Sequence, residues 1–83
     1  MHTIGLIDEA LALAHRAGYA VRQEWLAGSG GGCEIGGRKW LFLDLALSPA
    51  ERLEQILDVL RREPLAAELS PGHPLLPLLA GRD

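Results

Sequence analysis

Between Trp40 and Leu47 the chain alternates strictly. Leu41, Leu43, Leu45 and Leu47 occupy every second position, with Trp40, Phe42, Asp44 and Ala46 between them. At period two all four leucines fall on one face of a strand and the two aromatic rings on the other. Upstream, Cys33-Glu34-Ile35 reads as a short strand joined to this one by Gly36-Gly37. Two glycines suit a tight hairpin because such a turn can require positive φ at both central positions. Tyr19 to Leu26 alternates less cleanly, with Tyr19, Val21, Gln23 and Trp25 on one side and Ala20, Arg22, Glu24 and Leu26 on the other. Mixed faces of this kind predict an edge strand. Ala27 to Gly31 is too rich in glycine for regular structure and predicts a loop.

The period changes to helical at both ends of these strands. Ile4, Ile7, Leu11 and Ala14, widened by Leu6, Ala10, Leu13 and Ala17, form the apolar stripe of a helix running to Ala17. Thr3 is its expected N-cap, Asp8 and Glu9 lie early, His15 and Arg16 lie in the last turn, and Gly18 can close it. Ser48-Pro49-Ala50-Glu51 carries the second start signal: a serine cap, proline in the first turn, and a glutamate placed to complete a capping box. Leu53, Ile56, Leu57 and Leu60 are the stripe of that helix, and Pro64 stops it. Beyond Pro64 lie three more prolines and the run Pro74-Leu75-Leu76-Pro77-Leu78-Leu79. A short helical turn over Leu65 to Leu69 and then an extended, docked segment are expected, because the stretch is too apolar for water and too proline-rich for a long helix.

These elements predict an α+β fold of order α-β-β-β-α: a small antiparallel sheet with two helices on one face. Residues 1–64 form the core domain and residues 65–83 a docking segment. Both helices belong on the leucine face. Trp40 and Phe42 are then left on the other face, and burying a side chain of that size is worth roughly 1.5–3 kcal/mol. In a chain of 83 residues the core is near the lower limit for independent stability. A homodimer that covers Trp40 and Phe42 is the expectation, with Leu75, Leu76, Leu78 and Leu79 as a second interaction surface.

Composition narrows the function classes. A net charge of −3 with scattered basic residues argues against a nucleic-acid surface. A single cysteine excludes an internal disulfide and any multi-cysteine metal site. The start lacks the pattern of a secretory leader and no run is apolar enough for a membrane span, so a reducing cytoplasm is expected.

Few residues invite chemistry. Cys33 among Gly31 and Gly32 could be a reactive thiol or a ligand site, with Asp44 and Glu34 nearby, yet a small, buried and inert side chain is the simpler reading. The glycine run lacks both the phosphate-loop pattern and a helix directly after it. His2, His15 and His73 are too dispersed for a metal site. Asp44, the one charge in the apolar strand, is expected to serve structure: capping, meeting solvent at the sheet end, or pairing with Arg22 or Arg38. No cofactor is expected.

The order of helix, strand, glycine loop and hairpin, with Ser48-Pro49-Ala50-Glu51-Arg52 opening a helix, resembles the front part of the ImmA/IrrE type of metallopeptidase-like domain from Ile7 to Leu60. In that family the helix carries His-Glu-x-x-His, whose histidines bind zinc. Here an alignment on Glu54 places Leu53 and Leu57 at the ligand positions, and one on Ser48-Pro49 places Asp58 and Arg62 there. The resemblance therefore implies at most an inactive, regulatory relative. Gly31-Gly32-Cys33 followed by Leu41-Phe42-Leu43-Asp44 is also similar to small bacterial proteins with a Gly-Gly-x-Cys-like element before a strand ending in Asp or Asn, a likeness that brings no function. The expectation is a non-enzymatic bacterial protein acting by contact with itself or another protein. The rival is a thiol-dependent or small-ligand protein centred on Cys33.

Overall fold

In the structure, a computed structural model describing residues 2–26, 30–64 and 68–80, the chain runs α1 (Thr3–Arg16), β1 (Ala20–Glu24), β2 (Gly31–Ile35), β3 (Arg38–Asp44), α2 (Pro49–Leu60), α3 (Leu76–Ala80). The expected α+β class and element order are present. The glycine loop at residues 27–29 and part of the turn after Pro64, at residues 65–67, lie outside the described residues. Of the glycines placed in that loop, Gly31 instead opens β2.

Local chemistry accounts for the element ends. At α2 the Glu51 N–H donates to Ser48 Oγ at 3.2 Å and the Ser48 N–H donates to Glu51 Oε1 at 2.9 Å, completing the capping box. The Ser48 N–H first, and then the Ser48 hydroxyl, hold the Glu51 carboxyl below its ordinary pKa. The start of α1 differs from expectation: Thr3 is already helical, and the extended residue before it is His2, whose side chain makes no cap bond. Gly18, at φ 94°, closes α1. Its N–H donates to the His15 carbonyl and the Tyr19 N–H to the Ala14 carbonyl, both at 3.0 Å, the paired bonds that satisfy the last carbonyls of a helix. Gly36 and Gly37 take φ 59° and 81° in the hairpin between β2 and β3, the sign that a two-residue turn needs at both positions.

The sheet is mixed, not antiparallel throughout as expected. β3 is central: β2 pairs with it antiparallel, and β1 pairs with its other side parallel. β1 therefore ends, and β2 begins, at the C-terminal end of β3, on opposite edges of the sheet. The edge position of β1 follows the sequence reading, but its partner and direction do not.

α1 and α2 cover one face of the sheet, with Ile7, Ala10, Leu13 and Ala14 of α1 and Leu53, Ile56, Leu57, Val59 and Leu60 of α2 packed on Leu41 and Leu43. The stripe of α1 is rotated from the expected one, for Ile4 is 57 % exposed. Gly32 belongs to this side. A Cβ there would lie 2.9 Å from Val59 Cγ2, so glycine lets α2 approach β2.

The described part of the tail docks on its own chain, and it forms a short helix, α3, where an extended segment was expected. Pro74 precedes α3 and Pro77 lies in its first turn, where a missing N–H breaks no helical bond. Leu75 and Leu79 are buried in the core. The Leu75 N–H donates to His73 Nδ1 at 3.1 Å, and His73 Nε2 lies 3.5 Å from Glu9 Oε1 on α1. Arg61 Nη2 donates to the Leu78 carbonyl at 3.2 Å, tying α3 to the end of α2. His73, too distant in sequence from the other histidines for a metal site, is thus a clasp between the tail and α1. No helix among the described residues is long and apolar enough to cross a membrane.

Candidate functional site: the open face of the sheet

Strand alternation and register place one set of residues on the face that no helix among the described residues covers. Across the three strands, Cys33, Trp40 and Ala20 form one row, and Gly31, Phe42 and Arg22 the next, with Ile35 beside Arg38 at the hairpin end. Along β3 the side chains stack. The Trp40 and Phe42 rings lie 5.7 Å apart at 14°, and the Arg38 guanidinium sits 5.7 Å from the Trp40 ring centre. An offset aromatic pair of this kind is worth roughly 0.5–1.5 kcal/mol beyond the area it buries, and the cation adds attraction to the ring face. Each ring shields its neighbour, so both are half-buried although no helix crosses them. On β1, Arg22 and Glu24 form an ion pair at 2.6 Å beside the column. Ile35 remains 57 % exposed.

The sequence candidates are only partly brought together. Cys33, Gly31, Trp40 and Phe42 share the open face, but Gly32 points the other way, toward Val59. Cys33 is exposed, which corrects the expectation of a buried thiol: β2 is an edge strand and its cysteine lies on the uncovered side. Leu75 and Leu79, expected in an intermolecular surface, belong to the core of their own chain, whereas Leu76 is half-buried and Leu78 exposed. Arg38 and Ile35 escaped the sequence reading. Their positions, two and five residues from Trp40, were sufficient to place Arg38 on its face, whereas Ile35 needed the hairpin register.

Asp44 has the parity of Trp40 and Phe42 yet is 1 % exposed. Its Oδ1 accepts the Leu26 N–H at 3.2 Å and the Ala46 N–H at 2.9 Å. The carboxylate thus joins the chain leaving β1 to the turn leaving β3. This is a structural role, as expected, through a contact that the sequence did not indicate.

Two other polar groupings lie on the helix side of the molecule. At the hairpin end of the sheet, on the helix side, Tyr19 donates to Glu63 Oε2 at 2.8 Å, and Lys39 Nζ lies 3.3 Å from Glu63 Oε1 and 4.8 Å from the Tyr19 ring centre. Burial, then the bond to Glu63, pushes the Tyr19 hydroxyl up to about 12, so it is a neutral donor that holds β1 to the end of α2. A shallow groove along α2 is lined by Ala50, Glu51, Glu54, Gln55 and Asp58. Its carboxylates are already engaged, Glu51 in the capping box and Glu54 and Asp58 with Arg61 at 3.1 and 3.6 Å. Among the described residues no three His, Cys, Asp or Glu side chains could hold a metal ion together.

No family model, curated protein or solved structure matches the chain.

Proposed function

We propose that this is a non-enzymatic interaction domain, set in a bacterial cytoplasm, that associates with a second copy of itself through the uncovered side of its sheet. One observation supports it above the rest: among the described residues the three-stranded sheet is packed by helices on one face only, and the other presents Cys33, Ile35, Trp40 and Phe42 beside the Arg22–Glu24 ion pair. An apolar surface of this kind, rimmed by charge, marks a contact site more often than a catalytic one. Sedimentation of the intact protein over a range of concentrations tests the reading, with dimers expected at micromolar concentration and Trp40→Ser shifting them toward monomer. A protein that stays monomeric throughout removes it.

The exposure of Cys33 favours a second reading, a thiol-dependent or small-ligand role on the same face. Labelling under native conditions separates the two. Modification of Cys33 that is fast and leaves the dimer intact supports the thiol reading, while protection that grows with protein concentration supports the first.

A further inference from the structure

The outer edge of β2 specifies how two copies meet. In a two-residue hairpin the pair flanking the turn, here Ile35 and Arg38, is hydrogen-bonded, and bonded pairs then alternate along the ladder. The register makes Cys33 with Trp40 and Gly31 with Phe42 the next bonded pairs. Gly32 and Glu34 therefore turn their N–H and C=O groups outward, away from β3. Among the described residues nothing pairs with them, since β2 is an edge of the sheet.

Edge strands are normally protected by lysine, proline, bulges or covering elements. β1 carries the Arg22–Glu24 ion pair on its edge. β2, Gly-Gly-Cys-Glu-Ile, has neither lysine nor proline and a single charge, and all but Gly31 of its residues are exposed.

We propose that β2 pairs antiparallel with β2 of a second copy across a two-fold axis at Cys33, joining the two sheets into one of six strands. This rests on the reading that two copies associate, but sets the contact at the sheet edge in place of the open face, so that Trp40 and Phe42 stay uncovered in the joined sheet. Three features favour that register. First, Gly32 faces the partner's Glu34 and Glu34 the partner's Gly32, so every outward backbone group of the two residues is bonded and no like charges are opposed. Second, Ile35, more than half exposed, falls opposite the partner's Gly31, which has no side chain and leaves the flank of Phe42 bare. Third, the neighbouring registers of the same bonding parity are poorer. An axis at Glu34 sets two carboxylates against each other, and an axis at Gly32 carries Ile35 past the start of the partner strand. The contact is isologous, the same patch on both copies, as a closed dimer requires. It also makes the two Cys33 residues a directly opposed, non-bonded pair, for which Cα atoms lie about 4.5 Å apart in an antiparallel ladder.

The test combines a short bismaleimide cross-linker with sedimentation of the intact protein and three variants. Two variants block the edge. Glu34→Pro removes an outward N–H without removing a bond to β3, and Ile35→Lys places a charge opposite the partner's Gly31. Circular dichroism of each checks that it is folded, and Ile35→Lys serves alone if the proline variant is not. The third variant, Trp40→Ser, perturbs the open face and leaves the edge unchanged. The expected result is efficient Cys33 cross-linking of the parent, and dimer dissociation constants raised by about tenfold or more, equivalent to ~1.4 kcal/mol, in the edge variants. A dimer that Ile35→Lys leaves intact, or one whose Cys33 residues cross-link no faster than colliding monomers, overturns the edge geometry. If Trp40→Ser weakens that dimer, self-association through the face survives. A parent that is monomeric at every concentration overturns both.

Discussion

The two faces of β3 show how differently one strand can be used. Leu41 and Leu43, on the side of α1 and α2, are 0 % and 1 % exposed, while Trp40 and Phe42, one residue away on the other side, are shielded mainly by each other and by Arg38. The larger side chains thus sit where less of them is buried. The lesson is that stability resides in the helix-covered face, whereas the aromatic column is available for contact.

The comparison is most strongly challenged on its covered side. Leu41→Ala leaves a cavity between the sheet and two helices and should cost about 3 kcal/mol, read from chemical denaturation. Asp44 is next, because it is an open-face residue by parity but buried at the sheet end. Asp44→Ala removes the carboxylate that accepts the Leu26 and Ala46 N–H groups, an expected loss of about 2 kcal/mol, while Asp44→Asn, which keeps an acceptor oxygen, should lose less. Trp40→Ala should cost about 2 kcal/mol in the monomer, the stacking contact and the half-buried area together, and reduce association more than stability. If its denaturation midpoint falls as far as that of Leu41→Ala, the two faces are not distinct.

The smallest effect is one of pH, at the Tyr19–Glu63–Lys39 cluster on the covered side. The Tyr19 pKa is raised from 10.0 to about 12 in the folded protein. The fold therefore favours the neutral phenol. That contribution is complete below pH 10, where the unfolded tyrosine is also neutral, and is lost as the pH rises from 10 through 12. Melting temperatures across this window should fall more steeply for the parent than for Tyr19→Phe. Equal slopes would show that the hydroxyl does not couple to folding.

Much of the fold was legible because its signals are local. The capping box at Ser48 and Glu51, the Gly36-Gly37 turn, the closing Gly18 and the alternation from Trp40 each involve residues a few positions apart. Errors arose where distant residues compete. Thr3 has the chemistry of a cap, but the helix starts one residue earlier than that role requires. Ile4 fits a helical stripe, yet α1 turns Ala10 and Leu13 inward against α2. The tail's prolines suggested an extended chain, but Leu75 and Leu79 gain burial by winding into α3. On the candidate site, parity alone separated Trp40 and Phe42 from the leucines. It could not show that Ile35 and Cys33 lie on the same side as the rings, because that depends on the hairpin register.

By itself the sequence determined α1, α2 and the three strands, which face of β3 is aliphatic and which aromatic, and where the hairpin turns. These follow from periodicity and from backbone preferences that act over one or two turns of chain. Only the tertiary structure decided that β1 lies parallel to β3, that Asp44 joins the ends of those strands, and that β2 is left as an edge with Cys33 exposed. Strand order depends on hydrogen bonds and side chains that meet from far apart in the chain, and alternation within one strand specifies its two faces but not its neighbours.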